Sequence, residues 1–201
     1  MKSIGQILQH NNVGMMQPQS SSALCERTKS SKMVQKLLAT SIENVLTTYS
    51  PSIQLNLTLD EALFGSHPCL CDLKAAYGTN APTIWLIPQL LNLSEYCGCK
   101  EKMESSILEE TAVIIAREYY YLKISELAYF FYRFKTGAYG KFYGAIDPLL
   151  ILIALRNFVR ERNWEIERKE QEQRRLQREE QAKNAVPYTE YLKLKAKKLC
   201  N

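Results

Sequence analysis

Apolar residues recur at intervals of three and four over 32–49, through Met33, Val34, Leu37, Leu38, Ile42, Val45, Leu46 and Tyr49. That spacing lines one face of a helix and predicts a single helix ended by Ser50-Pro51. Ile53, Leu55, Leu57 and Leu59 then alternate with polar residues. No convincing second strand follows, so this segment reads as an extended connector rather than a strand. Thr58-x-x-Glu61 has the form of a capping box and predicts a short helix ending at Gly65. A further turn of helix over 72–77 is closed by Gly78. Within 82–96, Ile84, Trp85, Ile87, Leu90, Leu91 and Leu93 form a crowded apolar set, and Pro88 is expected to start the main helix or kink it.

A helix over about 104–120 is predicted to begin at the cap Ser106-x-x-Glu109, with Ile107, Leu108, Val113, Ile114, Ile115 and Tyr119 on its buried side. Leu122-Lys123 makes a tight turn into a helix over 124–135, which Gly137 terminates. Two helices joined this way also describe a helix-turn-helix, but nothing marks a recognition helix, and two bundle helices are the commoner cause. Asp147-Pro148 supplies a side-chain cap and a first-turn proline. The helix it starts runs to about Ala185, on the order of 55 Å. Leu149, Ile151, Leu152, Leu155, Phe158 and Val159 make its first half apolar. Beyond Ile166 it is almost wholly polar, with Glu170–Arg174 and Glu179–Lys183 at i,i+4 spacing. No a/d seam is present, which disfavours a coiled coil.

The fold class that follows is mainly α: a small helical bundle over 32–166 and a long, charged, protruding C-terminal helix forming the tail 167–201. Residues 1–31, rich in Gln, Asn, Ser and Lys, hold too little bulky apolar surface to offset the entropy of ordering and are expected to be disordered.

Charge sharpens this picture. Residues 1–150 balance 13 Lys/Arg against 13 Asp/Glu, whereas 151–201 carry 13 against 8, so the whole net charge of +5 lies in the last quarter. Such an excess permits an acidic protein or a nucleic acid as partner of the tail. The longest apolar run, Leu149 to Leu155, is far short of the ~18–20 residues that cross a bilayer, and no signal-peptide core opens the chain. No membrane association and a cytoplasmic location are expected.

Six cysteines include two Cys-x-Cys pairs, Cys69/Cys71 and Cys97/Cys99, with His67 beside the first. Paired zinc ligands are usually separated by two or more residues, so one intervening residue fits a metal poorly, and free thiols are the expected state. No metal and no cofactor are expected. His10 and His67 are the only histidines and sit beside no nucleophile–base motif, so the chain is expected not to be an enzyme.

The stretch from Tyr119 to Tyr143 holds eleven of the eighteen Tyr and Phe residues. It merges into a glycine-punctuated junction of Gly137, Gly140 and Gly144 ahead of Asp147 and Pro148. The junction is not a phosphate loop: its spacing fails the Walker pattern, no dinucleotide Gly-x-Gly-x-x-Gly occurs, and the four letters Gly137-Ala-Tyr-Gly140 lack the sheet of a nucleic-acid-binding KH domain. Arg133, Lys135 and Lys141 lie among Tyr139, Tyr143 and neighbouring rings, and Arg156, Arg160 and Arg162 follow on the last helix. Cations beside flat rings can hold single-stranded nucleic acid. The alternative places the rings in the core and the cations at its rim.

Residues 103–166 resemble an uncharacterised domain-of-unknown-function family found in Bacteroidetes genomes, phages and mobile elements. The similarity rests on Tyr120-Tyr121-Leu122-Lys123-Ile124, Glu126, Phe130-Phe131, Phe134-Lys135, Gly137, Tyr139-Gly140-Lys141-Phe142-Tyr143-Gly144, Asp147-Pro148, Leu155, Phe158 and Glu161-Arg162. The resemblance implies a mobile-element origin and no reaction. The function expected is a non-enzymatic accessory or adaptor protein of a mobile genetic element, serving DNA replication or transfer with weak nucleic-acid binding. The alternative is a protein–protein interaction module that uses the C-terminal helix without nucleic acid. A protein partner is expected to engage the 167–201 tail.

Overall fold

The computed structural model describes residues 32–96, 103–140 and 147–184. Expectations for 1–31, for Cys97 and Cys99, for Lys141, Tyr143 and Gly144, and for the chain beyond 184 lie outside them. The described residues are helical, with no strand among them: α1 (32–38), α2 (Ile42–Thr48), a 3₁₀ turn (Pro51–Leu55), α3 (Leu59–Phe64), α4 (Leu70–Tyr77), α5 (Ala81–Tyr96), α6 (Ser105–Glu118), α7 (Ile124–Lys135) and α8 (Pro148–Asn184).

The expected helix over 32–49 is two. Ser41 adopts an extended conformation and its hydroxyl accepts from the Asn44 N–H at 3.3 Å, capping α2 afresh. Tyr77 of α4 holds the end of α1 by donating its hydroxyl to Leu37 O at 2.7 Å. The presumed extended connector is a 3₁₀ turn, because Pro51 presets φ and the turn carries Gln54 into the interior. Pro88 neither starts nor ends a helix: α5 runs through it from Ala81 to Tyr96, with one intrahelical donor missing.

α7 is the central helix. Phe130, Phe131 and Phe134 are fully buried, and Phe130 meets Phe158 of α8 with ring centroids 5.6 Å apart. Leu86, Leu90 and Leu93 of α5 and Ile115 of α6 close the same core. The inward face of α6 is Leu108, Thr111, Ala112 and Ile115, whereas Ile107, Val113 and Ile114 are exposed, against expectation. Small Thr111 and Ala112 allow close helix approach, and the Thr111 hydroxyl is satisfied by Ile107 O at 2.6 Å. The predicted Ser106 cap is absent as well; α6 opens from Glu104 without a side-chain cap.

Several buried polar groups are paired across elements, as a dry core demands. Trp85 Nε1 and Gln89 Nε2 both donate to Tyr49 O at 2.9 Å, and Gln54 Nε2 donates to Gln89 Oε1 at 2.6 Å. Lys123 Nζ donates to Leu63 O and Gly65 O, satisfying the C-terminal end of α3.

Candidate functional site

An open groove of about 910 Å³ runs between α7 and the middle of α8. Tyr129, Arg133 and Tyr139 line one side, and Arg160, Glu161 and Trp164 the other. The tight end of α7 builds the first wall. Gly137 and Gly140 take φ of +79° and +107°, which turns the chain back so that Tyr139 lies over Phe130 and Phe134, with ring centroids 5.7 and 6.2 Å apart. Asp147 Oδ1 accepts from the Leu149 N–H at 2.8 Å and starts α8 on the far side.

The groove is mixed in charge. Arg133 lies 3.7 Å from Glu161 across it. Arg162 Nε donates to Glu126 Oε1 at 2.8 Å, and Glu126 is fully buried. The other oxygen of Glu126 accepts from the Lys123 N–H at 2.9 Å, so this carboxylate both caps α7 and receives α8. Tyr139 Oη is buried and has no hydrogen-bond partner among the described residues. Burial, and then the Glu161 carboxylate, push its phenol well above the ordinary value, with Arg133 opposing. Among the described residues the lining holds no histidine, cysteine or serine.

The cations singled out from the sequence divide three ways. Arg133, Arg160 and Arg162 share the groove with Tyr139. Lys135 points elsewhere: its Nζ donates to Gln54 Oε1 at 2.7 Å and to Asn92 Oδ1, and lies 5.4 Å from the centroid of the Tyr96 ring. Arg156 is exposed on α8 outside the groove lining. The two cations that pair with glutamates, Arg133 and Arg162, act at the rim of a packed aromatic core. The sequence reading gave no site role to Glu126, Glu161 or Trp164. Glu126 left a trace in the Lys123-x-x-Glu126 spacing of a helix start, and both glutamates are among the residues that carry the family resemblance; Trp164 left none.

α8 leaves the body in stages. Ile151, Leu155 and Phe158 are buried. Lys169 pairs with Asp60 of α3 and sits 4.1 Å over the Phe64 ring. Beyond it every residue from Glu170 to Lys183 is exposed. Ion pairs within the helix accompany that stretch: Arg174–Glu170 at 3.4 Å, Arg175–Glu172 at 3.8 Å and Arg175–Glu179 at 3.6 Å. No described helix is long and apolar enough to cross a membrane.

A second cluster lies at the start of α4, where Cys69 Sγ is 2.8 Å from both Cys71 Sγ and Asp72 Oδ2.

A family model described as "Family of unknown function (DUF6633)" matches residues 102–199, which span α6, α7, the junction and α8. No curated protein and no solved structure matches the chain.

Proposed function

We propose that this protein is a non-enzymatic, cytoplasmic adaptor whose helical body anchors a stiff, solvated helix that engages a protein partner. The carrying observation is the charge and exposure of residues 170–184. They are exposed from Glu170 to Lys183, and the segment holds four Lys/Arg against four Asp/Glu. A helix that is polar all round and laced with ion pairs bridges through solvent rather than packing into a core. Its zero net charge gives it no general attraction for a phosphate backbone. The positive excess lies on either side, in 151–169 with five Lys/Arg against three Glu and in 185–201 with four Lys against one Glu.

Within 151–169, Arg162 is committed to Glu126, and Lys169 to Asp60. This favours the protein-binding reading over a nucleic-acid groove. The similarity of 103–166 to a family of Bacteroidetes genomes, phages and mobile elements supports an accessory role in such an element.

Affinity capture compares the full chain with a chain ending at Lys169, alongside titration of fluorescent single- and double-stranded DNA at two salt concentrations. The expected result is a stoichiometric protein partner retained only by the full chain, with negligible DNA binding at the higher salt. Equal retention by the shortened chain, or tight and steeply salt-dependent DNA binding by the full chain, overturns the reading.

A further inference from the structure

We propose that Cys69, Cys71 and Asp72 form a binding site for one thiophilic divalent cation of the zinc class. Their three ligand atoms lie within 4.8 Å of one another. Cys69 Sγ is 2.8 Å from Cys71 Sγ, within reach of a thiol–thiol hydrogen bond, so the two sulfurs already face one another.

Local backbone geometry produces this convergence despite the single intervening residue. Cys69 is the extended N-cap of α4 (φ −94°, ψ 168°), whereas Cys71 and Asp72 lie in its first turn. An extended residue followed by a helical turn directs all three side chains to one point. The spacing expectation for paired cysteines omitted both the change of conformation and the adjoining carboxylate.

The backbone beneath the site is held from outside. Leu70 N donates to Leu122 O at 3.0 Å, Cys71 N to Tyr120 O at 2.9 Å, and Ile124 N to Pro68 O at 2.9 Å. Asp72 Oδ2 also accepts from the Cys69 N–H at 2.9 Å, which fixes the carboxylate. Such support for the ligand-bearing segment is what a metal site requires of its surroundings.

Two thiolates and a carboxylate suit a soft-to-borderline d¹⁰ ion. Binding breaks two S–H bonds, releases both protons to solvent and forms two metal–sulfur bonds. At a metal–sulfur distance of about 2.3 Å in a tetrahedral site the sulfurs stand roughly 3.8 Å apart, so they separate by about 1 Å on loading. Both cysteines are half-buried, which leaves a face for a solvent ligand in the fourth position. The ion would thereby reinforce the start of α4 against the turn between α6 and α7.

The test titrates the reduced full chain with Cd²⁺, following the ultraviolet thiolate-to-cadmium charge-transfer band and proton release. The expected result is one Cd²⁺ and two protons per chain, unchanged in the Cys97→Ser/Cys99→Ser variant. Cys71→Ser, with its fold checked by circular dichroism, should bind at least about tenfold more weakly. Independently of any variant, Zn²⁺ should protect Cys69 and Cys71 of the native chain from alkylation, as mapped by mass spectrometry. No band at stoichiometric cadmium, a band that follows Cys97 and Cys99 instead, or equal alkylation with and without Zn²⁺ overturns the proposal.

Discussion

The guanidinium of Arg162 reaches 36 positions back along the chain to donate to the Glu126 carboxylate at 2.8 Å, and Glu126 is fully buried. This pair joins the longest helix to the central one at the level of the aromatic core. A buried carboxylate requires a partner, because its desolvation is otherwise uncompensated. Removing Arg162 therefore costs more than the loss of one contact. Arg162→Ala is expected to destabilise the fold by about 3 kcal/mol, read as a lowered urea midpoint. The double variant Glu126→Leu/Arg162→Met is expected to recover only part of that loss: apolar replacement of a buried pair is often neutral, but the Lys123 N–H loses its cap, at about 1 kcal/mol.

Phe130 touches four rings, those of Phe131, Phe134, Tyr139 and Phe158. Phe130→Ala is expected to cost about 3–5 kcal/mol through the cavity it leaves. Tyr139→Phe removes the buried hydroxyl that lacks a partner among the described residues while keeping the ring. Chemical denaturation should show it to be neutral or slightly stabilising.

Gly137 stands at φ +79° with open space where a Cβ would go. The cost of Gly137→Ala is therefore conformational, not steric against a neighbour, at about 1–2 kcal/mol. Gly137→Asn should cost less than Gly137→Ala, because asparagine tolerates the left-handed region. A comparison of their melting temperatures checks the order.

His67 Nδ1 lies 3.1 Å from the Tyr49 hydroxyl. Burial holds the imidazole below its ordinary value, with the Glu61 carboxylate opposing and Lys123 and Lys36 assisting. A folded-state value below the unfolded one means that the unfolded chain binds the proton more readily. The neutral imidazole's contribution is complete above about pH 6.5 and is lost as pH falls below that value toward the lower folded one. Urea midpoints from neutral to mildly acidic pH should therefore decline in the native chain. His67→Gln should flatten the part of that decline that begins near pH 6.5.

Leu176→Pro, within the stretch 170–183 that is exposed throughout, is expected to break α8 locally and change the stability of the body by less than about 0.5 kcal/mol. Total helical ellipticity should fall while the urea midpoint stays. Asp60→Asn, which removes the last ion pair between α8 and α3, should act within the same range, as solvent-exposed pairs do.

Local signals were legible wherever one turn of chain contains both cause and effect. Thr58 caps α3 by accepting from the Glu61 N–H, Gly78 closes α4 at φ +97°, and α7 has the bounds that its flanking turn and Gly137 imply. Asp147 and Pro148 open α8 as their chemistry dictates. Within the candidate site, Arg133, Tyr139, Arg160 and Arg162 are brought together, whereas Lys135 is drawn to the opposite side by Gln54 and Asn92. Lys135 follows Arg133 by only two residues, and two residues on a helix turn a side chain to another face.

The sequence by itself determined that the chain is helical, where most of its helices begin and end, and that the far part of α8 is solvated. Those properties follow from backbone propensity, capping and hydrophobic period, all of which act within a few residues. Only the tertiary structure decided which residues of α6 face inward, that Arg162 serves Glu126, and that Cys69, Cys71 and Asp72 meet. The first two depend on where one helix crosses another, which packing settles across the whole core. The third depends on an extended residue abutting a helical turn, held there by the carbonyls of Tyr120 and Leu122.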